Sequence, residues 1–125
     1  MGVLRMIDNN KCILAYGLSE DELQSLNELN YKVIEIRPEM IKMTVKDVLD
    51  GLRFEIINNN PIKEKAIIYN NFPESELREA IALTRTKIKG GVLAMVTPNS
   101  INWTFNYLIN HLIEEREWHL RNRKE

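Results

Sequence analysis

At 125 residues, with 44% hydrophobic and 28% charged side chains, the chain has the size and composition of one globular domain, able to bury a core without metals or disulfides. Its net charge of −1 offers no broad positive field and argues against a duplex-DNA partner. The one cysteine, Cys12, excludes an internal disulfide and a cysteine-based zinc site and fits a cytoplasmic protein; no apolar stretch reaches the roughly 18 residues of a membrane span, and Arg5, Asp8 and Lys11 interrupt any signal-peptide core.

Cys12-Ile13-Leu14-Ala15-Tyr16 is a continuous apolar run that ends at Gly17, the pattern of a strand covered on both faces. Ser19-Glu20-Asp21-Glu22 is a capping box and starts a helix to about Leu29, with Leu23 and Leu26 inward. Tyr31 to Ile36 is a second strand, stopped by Pro38. Pro38 to Met43 reads as a helical turn or ordered loop, and Thr44 with Asp47 caps a helix carrying Val45, Val48, Leu49 and Leu52, which Gly51 ends or weakens. Asn58-Asn59-Asn60-Pro61 is a linker.

The plan then repeats. Ala66 to Tyr69 is a strand; Pro73 or Glu74 starts a helix with Leu77, Ile81, Thr84 and Ile88 inward; Gly90-Gly91 breaks it. Val92 to Val96 is the fourth strand, Thr97-Pro98 reads as an N-cap with Pro following, and a last helix from about Thr104 to about Arg121 buries Phe105, Leu108, Ile109, Leu112 and Ile113. Lys11 to Leu23 aligns with Lys65 to Leu77, while Val33, Pro38, Ile41, Thr44 and Leu52 align with Leu93, Pro98, Ile101, Thr104 and Leu112.

These observations predict an α/β fold: one domain over 1–125, made of duplicated βαβα units (about 11–57 and 63–121, joined by 58–62). The units share a four-stranded, mostly parallel sheet of order 2-1-3-4, with helices on both faces and a pseudo-two-fold axis along the strands. In such folds ligands sit beyond the carboxyl ends of the strands. That places Tyr16 and Gly17, Tyr69, Asn70 and Asn71, and the loop residues Pro38, Met43, Thr44, Thr97, Pro98, Asn99, Asn102 and Trp103 around one crevice. The candidate ligand or partner site is Tyr16, Asn70, Asn71, Met43, Thr44, Pro98, Asn102 and Trp103; the plainer reading is that the proline loops are repeated turn chemistry and that Met43 and Trp103 fill matching core positions.

Other chemistries find little support. Only Gly17 follows the first strand, and the acidic helix starts Glu20-Asp21-Glu22 and Glu74/Glu76 would repel a phosphate, so no nucleotide cofactor is expected. His111, Glu115 and His119 are spaced at i, i+4 and i+8 on the last helix, so adjacent pairs could share a metal, but no third ligand from another element is evident, and they read as a solvated face with no metal. Cys12 reads as a buried structural thiol, and no catalytic residue is assigned. Arg116, Arg121, Arg123 and Lys124 make a basic end able to touch RNA, or a helix terminus suited to the dipole; Trp118 beside it suggests a protein partner or a homodimer through the last helix.

Tyr16-Gly17-Leu18-Ser19-Glu20-Asp21-Glu22-Leu23, Pro38-Glu39-Met40 with Met43-Thr44-Val45, and Thr97-Pro98 with Asn102-Trp103-Thr104 carry a resemblance, completed by His111 to Glu115 with Trp118-His119. From about Lys11 to His119 the chain resembles a family of short, uncharacterised bacterial proteins, often from anaerobic Gram-positives, grouped as a domain of unknown function. The resemblance implies no activity, cofactor or catalytic residue, and points to the two Pro/Thr loops as the site. The expected function is a non-enzymatic cytosolic binding or interaction domain using those loops. The rivals are a small-molecule enzyme or ligand-binding protein using the crevice, and an RNA-binding module using the last helix.

Overall fold

The structure, a computed structural model, describes residues 11–52 and 55–122. Four strands and four helices follow in the order β1 (Cys12–Tyr16), α1 (Glu20–Asn27), β2 (Val33–Ile36), α2 (Val45–Leu49), β3 (Ala66–Asn70), α3 (Glu74–Lys87), β4 (Val92–Met95) and α4 (Phe105–Arg121). Short 3-10 turns at Pro38–Met40 and Ser100–Asn102 precede α2 and α4. The sheet order is β2-β1-β3-β4, as the sequence suggests.

The direction of the second half is not as expected. β1 runs parallel to β2, and β3 parallel to β4, but β1 and β3 are antiparallel. The sheet is therefore mixed, not mostly parallel, and the expected axis along the strands is ruled out, since such an axis would leave β1 and β3 parallel. The linker decides this. Ile56 donates its N–H to the Glu39 carbonyl (2.9 Å), Asn58 Nδ2 donates to the Pro38 carbonyl (3.1 Å), and the Tyr16 hydroxyl donates to the Ile62 carbonyl (2.7 Å). The chain between α2 and β3 is thus fastened to the carboxyl ends of β1 and β2. β3 has to start there, with Ala66 opposite Tyr16.

The register at the centre is self-reciprocal. Leu14 faces Ile68, with Cys12 opposite Asn70 and Tyr16 opposite Ala66 on either side. Ile13 pairs with Val33 and Ile67 with Leu93, so the parallel pairs share one register too. The two central strands are buried along their whole length, which is why their composition reads like that of a parallel sheet.

Two apolar layers cover the sheet. Ile13, Ala15, Ile67 and Tyr69 pack under α1 and α3 with Leu26, Ala80 and Ile88. Leu14, Tyr16, Ala66 and Ile68 pack under α2 and α4 with Val45, Val48, Phe105, Leu108 and Ile109. In the first layer the buried Tyr69 hydroxyl donates to Thr84 Oγ1 (2.8 Å), which donates in turn to the Ala80 carbonyl (2.8 Å). α1 begins at the expected capping box, with Glu22 N–H on Ser19 Oγ (3.1 Å) and Ser19 N–H on Glu22 Oε1 (3.0 Å). α2 ends after one and a half turns at Gly51, whose φ of +87° suits glycine. Leu52 lies beyond it and is exposed, not part of the inward stripe.

Candidate functional site

The loops that follow β2 and β4 meet over the layer of α2 and α4. In the first, Met40, Ile41 and Met43 turn inward and are buried. In the second, Thr97 and Ser100 hold each other: Ser100 N–H donates to Thr97 Oγ1 (3.0 Å) and Thr97 N–H to Ser100 Oγ (2.9 Å). Thr44 and Thr104 end the loops, each accepting at its hydroxyl the N–H three residues on, from Asp47 (3.0 Å) and Tyr107 (3.1 Å). The loops are joined through their backbones. Val45 N–H donates to the Trp103 carbonyl (2.9 Å), Phe105 N–H to the Met43 carbonyl (3.0 Å), and Asn106 N–H to the Ile41 carbonyl (2.8 Å).

Trp103 begins an aromatic run along α4. Its ring stands edge-on to Tyr107 (4.8 Å between centroids) and to His111 (5.2 Å), and Tyr107 and His111 stack at 6.1 Å. His111 Nε2 lies 3.4 Å from Glu115. The spacing of four residues between Tyr107, His111 and Glu115 keeps these side chains on one strip of the helix. Tyr107 is 54% exposed although it is fixed by two ring contacts.

Of the residues expected at the site, Met43, Thr44 and Trp103 come together here, with Pro98 and Asn102 exposed in the same pair of loops. Met43 is buried and acts as core. Tyr16, Asn70 and Asn71 do not join them. Because β1 and β3 are antiparallel, Tyr16 is opposite Ala66 and Asn70 opposite Cys12, so they lie at opposite ends of the sheet. The single rim of carboxyl ends is split into two. Asn70 is buried, while Asn71 is exposed in a left-handed turn with φ of +64°. Tyr107 and His111 were not among the expected residues; the i, i+4 aromatic spacing from Trp103 was the signal for them.

At the Tyr16 end lies an open crevice of about 730 Å³ between the carboxyl ends of β1 and β2 and the Lys63–Lys65 and Lys89–Gly91 segments. Three of the six charged residues that line it, Arg37, Glu64 and Lys65, are in ion pairs, and Glu35, Lys63 and Lys89 are the other three. Arg37 bonds Glu55, Lys65 Nζ lies 2.5 Å from Glu22, and Arg116 lies 2.9 Å from Glu64. Lys65 holds the Glu22 carboxyl below the usual carboxylate range, and Arg116 does the same to Glu64. Burial pushes the Tyr16 phenol up.

Cys12 is buried in β1, and burial raises its thiol above its ordinary value, the opposite of what activates a nucleophile. Among the described residues no three His, Cys, Asp or Glu side chains gather as a metal site. Of the basic end, Arg116 is tied to Glu64 and Arg121 is exposed, while Arg123 and Lys124 lie outside the described residues. No helix of the described residues is long and apolar enough to cross a membrane.

Residues 65–118 match a family described as a domain of unknown function (DUF3783). The matched stretch runs from just before β3 into the last turns of α4, which is one βαβα unit. No curated protein and no solved structure matches the chain significantly.

Proposed function

We propose that the protein is a non-enzymatic binding domain whose contact surface is the pair of joined loops together with the aromatic strip Trp103–Tyr107–His111. The observation that carries this reading is the exposure of Tyr107 in a ring cluster already held rigid by Trp103 and His111. Large rings fixed on a helix lose little freedom on binding, and such residues supply most of the affinity at protein interfaces. Glu114, Glu115 and Glu117 stand exposed on the same helix, so the partner is a polypeptide offering apolar and basic side chains, with its cations over the ring faces. The buried, unactivated Cys12 supports the non-enzymatic reading. We also read the chain as a fused pair of βαβα units, which the family match to one unit supports. A cytoplasmic location remains part of this proposal.

Selection of peptides from a displayed library against the full chain tests it. Selected peptides are rich in Arg or Lys next to aromatic or aliphatic residues, and Tyr107→Ala lowers their affinity about tenfold or more without lowering the melting temperature. Binders that ignore both Tyr107→Ala and Trp103→Ala would refute it.

A second reading, a small-molecule site, has the crevice beside Tyr16 in its favour. Arg37, Glu64 and Lys65 are held in ion pairs and the crevice is open, so it ranks second. Thermal stabilisation by a metabolite, abolished by Arg37→Ala and unchanged by Tyr107→Ala, would reverse the order.

A further inference from the structure

The sheet has two edges, and they differ in a way that the near-symmetry of the halves does not require. β2 carries Glu35, is flanked by Lys32 and Arg37, and Arg37 bonds Glu55 beside it. Charges of this kind are the usual protection of an edge against another strand. β4 and the residue after it read Val92-Leu93-Ala94-Met95-Val96, with no charge, no proline and no bulge. Val92 and Val96 turn their N–H groups inward to the Lys65 and Tyr69 carbonyls (both 2.9 Å). By alternation, the N–H and C=O groups of Leu93 and Met95 point outward, where the sheet has no further strand among the described residues.

From this we infer that β4 pairs antiparallel with β4 of a second copy of the chain, about a two-fold axis at Ala94, and joins the two sheets into one. The segment is its own complement. About that axis Leu93 faces Met95 of the other copy and Met95 faces its Leu93, and each of these pairs exchanges both backbone bonds. On the α2/α4 side Val92 meets Val96, so the cross-strand pairs are apolar, with Glu115, Arg116 and His119 of α4 beside Val92 and Leu93. Gly91 and Pro98 bound the pairing, since Pro98 has no N–H to give. Met95, 53% exposed, supplies apolar surface that a solvated edge does not need. This surface is distinct from the aromatic strip, and neither proposal depends on the other.

Sedimentation of the full chain tests the inference. At about 100 µM the wild type is a dimer, and its Leu93 and Met95 amides exchange more slowly than at tenfold dilution. Met95→Pro removes only an outward N–H, and Met95→Lys sets a charge on the edge; each raises the dissociation constant about tenfold or more, while Glu35→Ala on the other edge does not. Should Met95→Pro unfold the chain, Met95→Lys decides. A wild type that stays monomeric, or a dimer indifferent to position 95, overturns the inference. Peptide binding at Tyr107 is unchanged in Met95→Lys, so failure of one proposal is read separately from failure of the other.

Discussion

Thr44 and Thr104 face each other in an isolated antiparallel bridge, and each also caps the helix that follows it. Two short loops therefore share one anchor, in which backbone bonds join the halves and side-chain bonds start α2 and α4. Thr44→Ala and Thr104→Ala should each cost about 1 kcal/mol, as lost N-caps do. Serine at either position should restore most of that. Because the two are neighbours, the double alanine variant should depart from additivity by about 0.5 kcal/mol or more in urea unfolding.

The Tyr69–Thr84 pair gives an asymmetric prediction. Tyr69→Phe removes a donor and leaves Thr84 bonded to the Ala80 carbonyl, a loss of about 1 kcal/mol. Thr84→Val strands a buried phenol hydroxyl and should cost more, about 1–3 kcal/mol. In the double variant the stranded hydroxyl is gone, and the total should fall below the sum of the two.

Acid should weaken the fold through Glu22 and Glu64. Both carboxyls are held lower in the folded chain than in the unfolded chain, by Lys65 and Arg116. The stabilisation is complete above the unfolded carboxylate range and disappears as pH falls through the folded values. Both pairs are partly solvated, so each is worth at most about 1 kcal/mol. Stability measured from neutral pH downward should hold until the carboxylate range and then decline. A Glu64→Gln chain should start lower and decline less.

Gly90 and Gly91 both have positive φ, at +78° and +81°, but only Gly91 is crowded. A Cβ there would lie 2.7 Å from the Lys65 carbonyl oxygen, whereas one at Gly90 would meet nothing within 4 Å. Gly90→Ala should cost about 1–2 kcal/mol for the left-handed backbone alone. Gly91→Ala should cost clearly more, because it meets the Cβ and the backbone carbonyl of Lys65, which cannot swing away as a side-chain end can.

Cys12 should be silent to thiol reagents in the native chain. Buried in a central strand with its thiol pushed up, it should react only on unfolding, at a rate that follows the denaturant transition.

Much of the architecture was legible in the sequence because each element carries a local signal. Ser19 with Glu22 is a capping box in the structure as in the sequence, the expected cap at Thr44 is a full box with Asp47, and the stripe from Phe105 to Ile113 faces the core. The strand order followed from the two runs that are buried on both faces. Strand direction did not, since Cys12–Tyr16 and Ala66–Asn70 read the same whichever way they pair. Direction goes with three hydrogen bonds of the segment between α2 and β3, among them Tyr16 to Ile62, and a contact between residues so far apart has no local signature. The candidate site divided along the same line. Met43, Thr44 and Trp103 follow from repeat position and came together, whereas grouping Tyr16 with Asn70 assumed a parallel sheet.

The reciprocal bonds between Met43, Val45, Trp103 and Phe105 have one more consequence. In an assembly of two identical chains, a substitution on the symmetry axis is forced on both sides at once. Here the facing residues are encoded separately, so each side can be changed alone. A thioether sealed in the interior at position 43 and an indole against an aromatic strip at position 103 can therefore be substituted one at a time, with the bonds between the loops left in place.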